Sequence, residues 1–168
     1  MKRFLIGLLA LGLTTQIYAQ IVDEESLPEI TIRAVNYKYL DLVDNSEAGV
    51  PVQLLEDKAA NFDLKNSEFY EDGSEIYKVF FYIPKGRIVA AYDRQGEILY
   101  TIERFENVAL PYDVAASIKE RFPGWKMAKD VYRVNYDVVY GAKKQYKVVL
   151  KNGKKTIRVK IDDEGEFL

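Results

Sequence analysis

The sequence predicts an α+β protein made of two tandem units, each a helix packed on an antiparallel meander sheet. The first observation is a near repeat: residues 77–99 read YKVFFYIPKGRIVAAYDRQGEIL, and residues 146–168 read YKVVLKNGKKTIRVKIDDEGEFL. The second is that a proline-led segment with apolar residues at helical spacing precedes each copy. The third is a change to alternating apolar and polar residues after each helix. A repeated supersecondary unit indicates a repeated architecture.

The first residues have the features of a targeting segment. Lys2 and Arg3 precede a short apolar run, and small residues precede Gln20. We therefore predict a signal peptide over residues 1–19, an acidic linker over 20–28, and a periplasmic or secreted protein. The apolar run is short for a bilayer, and we expect no membrane span after cleavage.

The first unit is predicted over residues 29–105. Residues 30–43 contain two strand-like runs, ITIRAVNY and YLDLV. A helix is expected from Val50 to Phe62, with Leu54, Leu55, Ala59 and Phe62 near one face. A strand shorter than its counterpart in the second unit should follow in residues 63–76. The strand over residues 97–105 leads towards the second helix, so the two sheets can join.

The second unit is predicted over residues 106–168. Leu110, Val114, Ile118 and Phe122 form an apolar stripe on one helix face, which Pro123-Gly124 should end. Residues 132–140 alternate as a half-buried strand, and a turn is expected at residues 141–144. Asn152-Gly153 indicates a hairpin, because both residues tolerate positive φ.

The composition lacks the residues of common catalytic sites. The chain has no His and no Cys, which excludes Ser-His-Asp, Cys-His and thiolate or imidazole zinc sites. We therefore predict no enzyme, no cofactor and no metal site, and a carboxylate-pair hydrolase stays as an alternative. The acidic run at residues 162–166 lacks the spacing of an EF-hand loop and indicates a turn between strands.

The net charge gives a further expectation about partners. It is −2 for the whole chain, and after loss of Lys2 and Arg3 it becomes −4, with 22 basic and 26 acidic residues. This balance argues against nucleic acid as a partner. The last hairpin is locally basic, and this feature either protects a sheet edge from aggregation or attracts an acidic partner.

Three aromatic residues are candidate partner-binding residues. Phe80 and Tyr82 fall on the strand face opposite Tyr77, Val79 and Phe81, so both faces of this strand are apolar. Phe80 and Tyr82 either pack against other strands or form an exposed patch that takes a protein or peptide. Trp125 follows the second helix, where it either closes the core or serves as a binding anchor.

Short motifs resemble those of a known family. They are a Leu-Pro helix start at residues 110–111, a helix end that reads RFPGW at residues 121–125, and a D-x-x-G-x-F/L turn. Residues 162–167 match this turn, and residues 93–98 match it except for Ile98 in the last place. In these features residues 50–168 resemble the PepSY-like periplasmic proteins of the Bacteroidetes type, whose fold is similar to the beta-lactamase inhibitor protein. The resemblance implies tandem helix-and-sheet units, export and a non-catalytic role, with peptidase inhibition or peptide binding as expectations.

Together these observations predict an exported, non-enzymatic binding or inhibitor-like module for a protein or peptide partner. A structural or envelope-assembly protein without a specific ligand is the alternative.

Overall fold

A computed structural model describes residues 36–43 and 49–168, which form three helices and a six-stranded antiparallel sheet. The helices are α1 (Tyr37–Val43), α2 (Val50–Ala60) and α3 (Tyr112–Arg121). The strands are β1 (Tyr77–Ile83), β2 (Gly86–Tyr92), β3 (Ile98–Glu106), β4 (Lys126–Asp137), β5 (Gly141–Asn152) and β6 (Lys155–Asp162). Their order in the sheet is the order in the chain. The predicted α+β class and meander are confirmed.

A single sheet runs through both halves of the described chain. β3 pairs antiparallel with β4, from Tyr100 opposite Asp137 to Glu106 opposite Val131, and this pairing joins the first three strands to the last three. The predicted signal peptide, linker and first strand run lie outside the described residues, except for the last two residues of that run. Within the described ranges, no helix has the length and apolar character needed to cross a membrane.

The sheet has two faces, and the helices lie on one of them. On this core face Tyr132 and Tyr146 are completely buried, and their rings stack with centroids 4.7 Å apart. Buried side chains of all three helices belong to the same hydrophobic cluster. The other face, called the free face from here on, consists of the alternate strand residues 78–82, 87–91, 100–106, 129–137, 143–151 and 156–162, with Lys126 beyond a bulge in β4.

The predicted strand YLDLV is wrong, because residues 37–43 form α1. Tyr39 and Val43, four residues apart, are both buried and therefore lie on one helical face. The Tyr39 ring packs edge-on against Tyr136 of β4 at 5.2 Å. The side chain of Asn36 holds the start of α1 in place by donating to the carbonyls of Ala60 and Gly96 at 3.0 and 3.1 Å.

The two other helices form as predicted, but α2 ends at Ala60, before the predicted end at Phe62, and one predicted apolar position is exposed. In α3 the stripe residues Val114 and Ile118 are buried, and Leu110 and Phe122 pack against the core from the flanks. In α2 Leu55 and Ala59 are buried, but Leu54 is 63% exposed and does not belong to the apolar face. At 3.6 residues per turn, Leu54 is rotated about 100° away from Leu55.

The short strand predicted after α2 does not form. Residues 63–76 make a series of turns, in which Asp63 accepts hydrogen bonds from the backbone and side chain of Asn66 at 3.2 and 2.8 Å. The Arg94 side chain donates to the carbonyls of Ser74 and Gly73, and these bonds hold the end of the segment. Side-chain hydrogen bonds, and not hydrogen bonds between strands, therefore hold residues 63–76 in place.

The turn between β4 and β5 lies earlier than predicted. Asp137 Oδ1 accepts the amides of Val139 and Tyr140 at 2.8 and 3.1 Å, and Gly141 already begins β5 with a φ of +79°. The predicted turn at residues 141–144 is therefore wrong. The hairpin predicted from Asn152-Gly153 is confirmed, but its turn residues are Gly153 and Lys154, because Asn152 ends β5 opposite Lys155. Gly153 has the expected positive φ, at +55°.

Two turns repeat one hydrogen-bond pattern. Asp93 Oδ1 accepts the amides of Gln95 and Glu97 at 2.8 and 2.9 Å, and Asp162 Oδ1 accepts those of Glu164 and Glu166 at 3.1 and 2.8 Å. After the turns, Tyr92 pairs with Ile98, and Ile161 forms a bridge with Phe167. The repeat in sequence is therefore also a repeat in local structure at these turns.

Candidate functional site

Two of the three predicted partner-binding residues lie together on the free face. Phe80 and Tyr82 are 54% and 65% exposed, and their rings are parallel with centroids 6.3 Å apart. Phe80 stands opposite Val89, and Val89 stands opposite Ile102, which is also 54% exposed. A cross-strand row of apolar side chains therefore begins at β1 and reaches the middle of the sheet.

Trp125 lies elsewhere. It is half-buried and packs against the core beside α3, with its ring edge-on to Phe122 at 6.5 Å. It also lines a cavity of about 230 Å³ with Ile118 and Leu150. The structure therefore does not bring Trp125 together with Phe80 and Tyr82.

The free face is strongly basic, although the net charge of the whole chain is −2. It carries eleven Lys and Arg residues against three acidic residues, so the rest of the chain carries a net charge of −10. The basic residues are Lys78, Arg87, Arg104, Lys126, Lys129, Arg133, Lys143, Lys147, Lys151, Arg158 and Lys160, and the acidic ones are Glu106, Asp137 and Asp162.

The centre of this face holds a row of arginines. Arg87 stands opposite Arg104 across β2 and β3, and Arg104 stands opposite Arg133 across β3 and β4. Among the described residues, Arg133 Nε is buried without a hydrogen-bond partner. The charge of Arg133, followed by partial desolvation and by Lys160 and Arg104, lowers the pKa of Lys147. Like charges directly opposite each other destabilise a sheet, so the stability of the sheet does not explain this row of arginines.

One carboxylate is already bound on the free face. Glu106 Oε1 lies 2.8 Å from one terminal nitrogen of Arg104 and 2.9 Å from the other, and Glu106 Oε2 lies 3.1 Å from Lys129 Nζ. Hydrogen bonding and charge from Lys129 lower the pKa of Glu106. Glu106 therefore shows how an arginine and a lysine of this face hold a carboxylate.

A shallow cavity of about 460 Å³ opens at one end of the arginine row. Its walls include the Tyr82 ring, the Arg87 side chain, the Arg104–Glu106 ion pair and the turn between β1 and β2, which carries Lys85. Lys85 and Arg87 form no ion pair with a described acidic residue, so together with the aromatic ring they suit an anionic group on a partly apolar ligand.

Sequence reasoning missed most of this basic surface. It noted the cations of the last hairpin but not Arg87, Arg104 and Arg133, which come from three different strands. Their alternation with apolar residues placed each of them on the wet side of its strand, and that signal was available. Their mutual alignment depends on the strand register, which the sequence does not contain.

A second polar cluster lies on the core face. Glu103 and Glu56 are 1% and 2% exposed, and Glu103 Oε1 accepts hydrogen bonds from Tyr39 Oη at 2.8 Å and Thr101 Oγ1 at 2.6 Å. Burial raises the pKa of Glu103 to about 7 against the hydrogen bonds from Thr101, Tyr39 and Glu56, which lower it. Glu103 and Glu56 are too buried to meet a substrate in this structure, so we interpret them as a structural polar cluster.

The acidic turn at residues 162–166 uses its first carboxylate for the backbone. Asp162 accepts two amides of the turn, as described above, and thereby fixes the conformation. In the described ranges, no group of three or more His, Cys, Asp or Glu side chains is arranged to hold a metal ion.

Comparison of the chain with protein families, curated proteins and solved structures finds no match. The resemblance to PepSY-like proteins stays a prediction that rests on short motifs.

Proposed function

We propose that this chain is an exported, non-enzymatic binding module that takes a protein or peptide partner on its free face. The observation that carries the proposal is the exposed row of Phe80, Tyr82 and Ile102 on that face. Exposed aromatic side chains contribute large contact areas with few torsions to order, and protein interfaces are enriched in them. An inhibitor of a peptidase is one form that such a module takes in the family it resembles.

The matching turns at Asp93 and Asp162 support the idea that the two halves are copies of one helix-and-sheet unit. In this proposal the two units merged their strands into one sheet. The merger leaves a free face wide enough for a macromolecular partner, since six strands at about 4.8 Å spacing span about 24 Å between the outer strands.

The proposal is tested by affinity capture from envelope extract with residues 20–168 as bait. A Phe80→Ala/Tyr82→Ala variant should lose a partner that the native chain retains. The matched control is Leu54→Ala/Tyr112→Ala, which removes two exposed apolar side chains, 63% and 77% exposed, from the helices. Equal retention by all three baits would contradict the proposal.

The structural alternative predicts a different outcome. A protein that assembles through its sheet edges should self-associate, and sedimentation would give at least twice the monomer mass. A monomer that captures a partner through Phe80 and Tyr82 supports the binding module instead.

A further inference from the structure

The basic residues of the free face are too widely spread to serve only as edge protection. Lysines on an edge strand discourage pairing with another chain, and Arg158 and Lys160 of β6 fit that role. Arg104, Arg133 and Lys147 lie on β3, β4 and β5, which are paired on both sides. Their charges therefore require another explanation.

Most charges of the free face form no ion pair with a described acidic residue. Glu106 bridges Arg104 and Lys129, and it is the one carboxylate of the described residues that forms an ion pair with the free face. Arg87, Arg133 and Lys147 have no ion pair with a described acidic residue. The two other acidic residues of the face, Asp137 and Asp162, accept backbone amides in their turns.

We propose that the free face binds an acidic polypeptide segment whose carboxylates lie on the cations of β2 to β6 and whose apolar side chains lie on Phe80, Tyr82 and Ile102. This inference rests on the proposed binding function and adds the chemical class of the partner. Charge-assisted hydrogen bonds from arginine and lysine hold carboxylates, and Glu106 provides the example on this surface, with Oε1 on both terminal nitrogens of Arg104 and Oε2 on Lys129.

The apolar row favours a polypeptide over other polyanions. A protein segment offers aliphatic and aromatic side chains together with carboxylates, whereas a phosphate backbone offers no aliphatic side chains. In an extended segment, alternate side chains point to the same side, so one segment can place acidic and apolar groups over the two parts of the face. The open cavity beside Tyr82, Lys85 and Arg87 would take one acidic side chain.

The charges of the free face can be reversed at exposed positions. The test variant is Arg87→Glu/Arg158→Glu/Lys160→Glu, in which all three positions are exposed. The matched control is Lys58→Glu/Lys65→Glu/Lys119→Glu, which makes the same change in net charge at exposed positions of α2, the following loop and α3. A difference between the two variants therefore reports on the free face and not on net charge.

The probe is a fluorescein-labelled extended peptide in which every second residue is glutamate in one half and valine in the other half, with threonine between them, so that acidic and apolar side chains share one side. It is titrated into each protein by anisotropy. We expect the native chain to bind it, the test variant to bind at least ten times more weakly, and the control to stay within about twofold. Binding by the native chain should also weaken steeply between about 0.05 and 0.5 M salt, a measurement that needs no variant.

Four outcomes would overturn the inference. They are no binding of the peptide, equal weakening in both variants, binding that salt leaves unchanged, and tighter binding of single-stranded oligothymidylate of matched charge than of the peptide. If a captured envelope partner is lost with Phe80→Ala/Tyr82→Ala but retained by the charge-reversed variant, the acidic-partner inference fails and the binding function stands.

Discussion

The two faces of the sheet use charge in opposite ways. On the core face, Glu103 is buried beside Glu56, and burial raises the pKa of Glu103 to about 7, so that its neutral form is favoured. On the free face, eleven cations stay at the surface and one carboxylate pairs with two of them. A shift of one residue along a strand moves a side chain from the first environment to the second. The core face therefore carries the buried packing of the sheet, and the free face carries the surface on which we propose that a partner binds.

The largest expected effect separates the two faces on one strand. Phe105→Ala removes a core ring that is 1% exposed and packs on Tyr132 at 6.2 Å, and we expect it to lower the free energy of unfolding by about 3–5 kcal/mol. Ile102→Ala, on the free face of the same strand, is the control and should cost less than about 1 kcal/mol. Urea unfolding measures the free energy of unfolding of both variants. Equal losses would contradict the assignment of Phe105 to the core face and Ile102 to the free face.

The second effect is a pH dependence that belongs to the core face. The folded-state pKa of Glu103 is about 7, above its usual 4.5, so the unfolded chain releases the proton first as pH rises. The free energy of unfolding should therefore fall between pH 4.5 and 7, by an amount on the order of 3 kcal/mol. Glu103→Gln, which cannot ionise, should remove most of this fall.

The control for this pH effect lies on the free face. Glu106→Gln changes a carboxyl group whose pKa is lowered by Lys129 and which is partly exposed. It should leave the fall between pH 4.5 and 7 intact, as measured by urea unfolding across this range. A Glu103→Gln protein with the native slope would show that other groups cause the dependence.

A smaller effect compares the repeated turns. Asp93→Ala and Asp162→Ala each remove two hydrogen bonds to backbone amides, and each should cost about 1 kcal/mol. Asp93 should cost more, because its turn joins the paired strands β2 and β3, whereas the turn of Asp162 leads to a single bridge at Phe167. Thermal unfolding of both variants tests the order, and a larger loss for Asp162→Ala would contradict it.

The smallest effect on stability belongs to the candidate binding residues. Phe80→Ala/Tyr82→Ala removes two rings that are more than half exposed and contact each other. We expect the free energy of unfolding to change by less than about 1 kcal/mol, so that any loss of binding is a surface effect. Core-like destabilisation of several kcal/mol would place these rings in the folding core and remove them from the candidate site.

Features that depend on a local sequence pattern could be predicted from the sequence. The α3 stripe repeats every four residues from Leu110 to Phe122, and Asn152-Gly153 identifies a hairpin by itself. The helix α1 was missed because seven residues contain too few turns to show a helical period. The loop over residues 63–76 was missed because its turns depend on distant partners, such as Arg94 with Ser74.

The candidate site was predictable only in its aromatic part. Phe80 and Tyr82 could be predicted as candidates because they place aromatic side chains on the strand face opposite the core residues of the same strand. The arginine row could not be predicted, because the alignment of residues 87, 104 and 133 depends on the strand register. The buried pair could not be predicted either, because Glu56 and Glu103 lie on different elements and meet only in the folded chain. The net charge of the chain gave no indication of this basic face, because it averages over surfaces of opposite charge.

The most direct test of the central claim is to locate the bound partner on the sheet. We would titrate ¹⁵N-labelled protein with the glutamate-rich peptide and follow the backbone amides and the arginine Nε signals by NMR. We predict that the Nε signals of Arg87, Arg104 and Arg133 and the amides of β1 to β6 shift together, while α2 and α3 stay unchanged. Shifts confined to α2 and α3, with the three arginine signals unmoved, would contradict it.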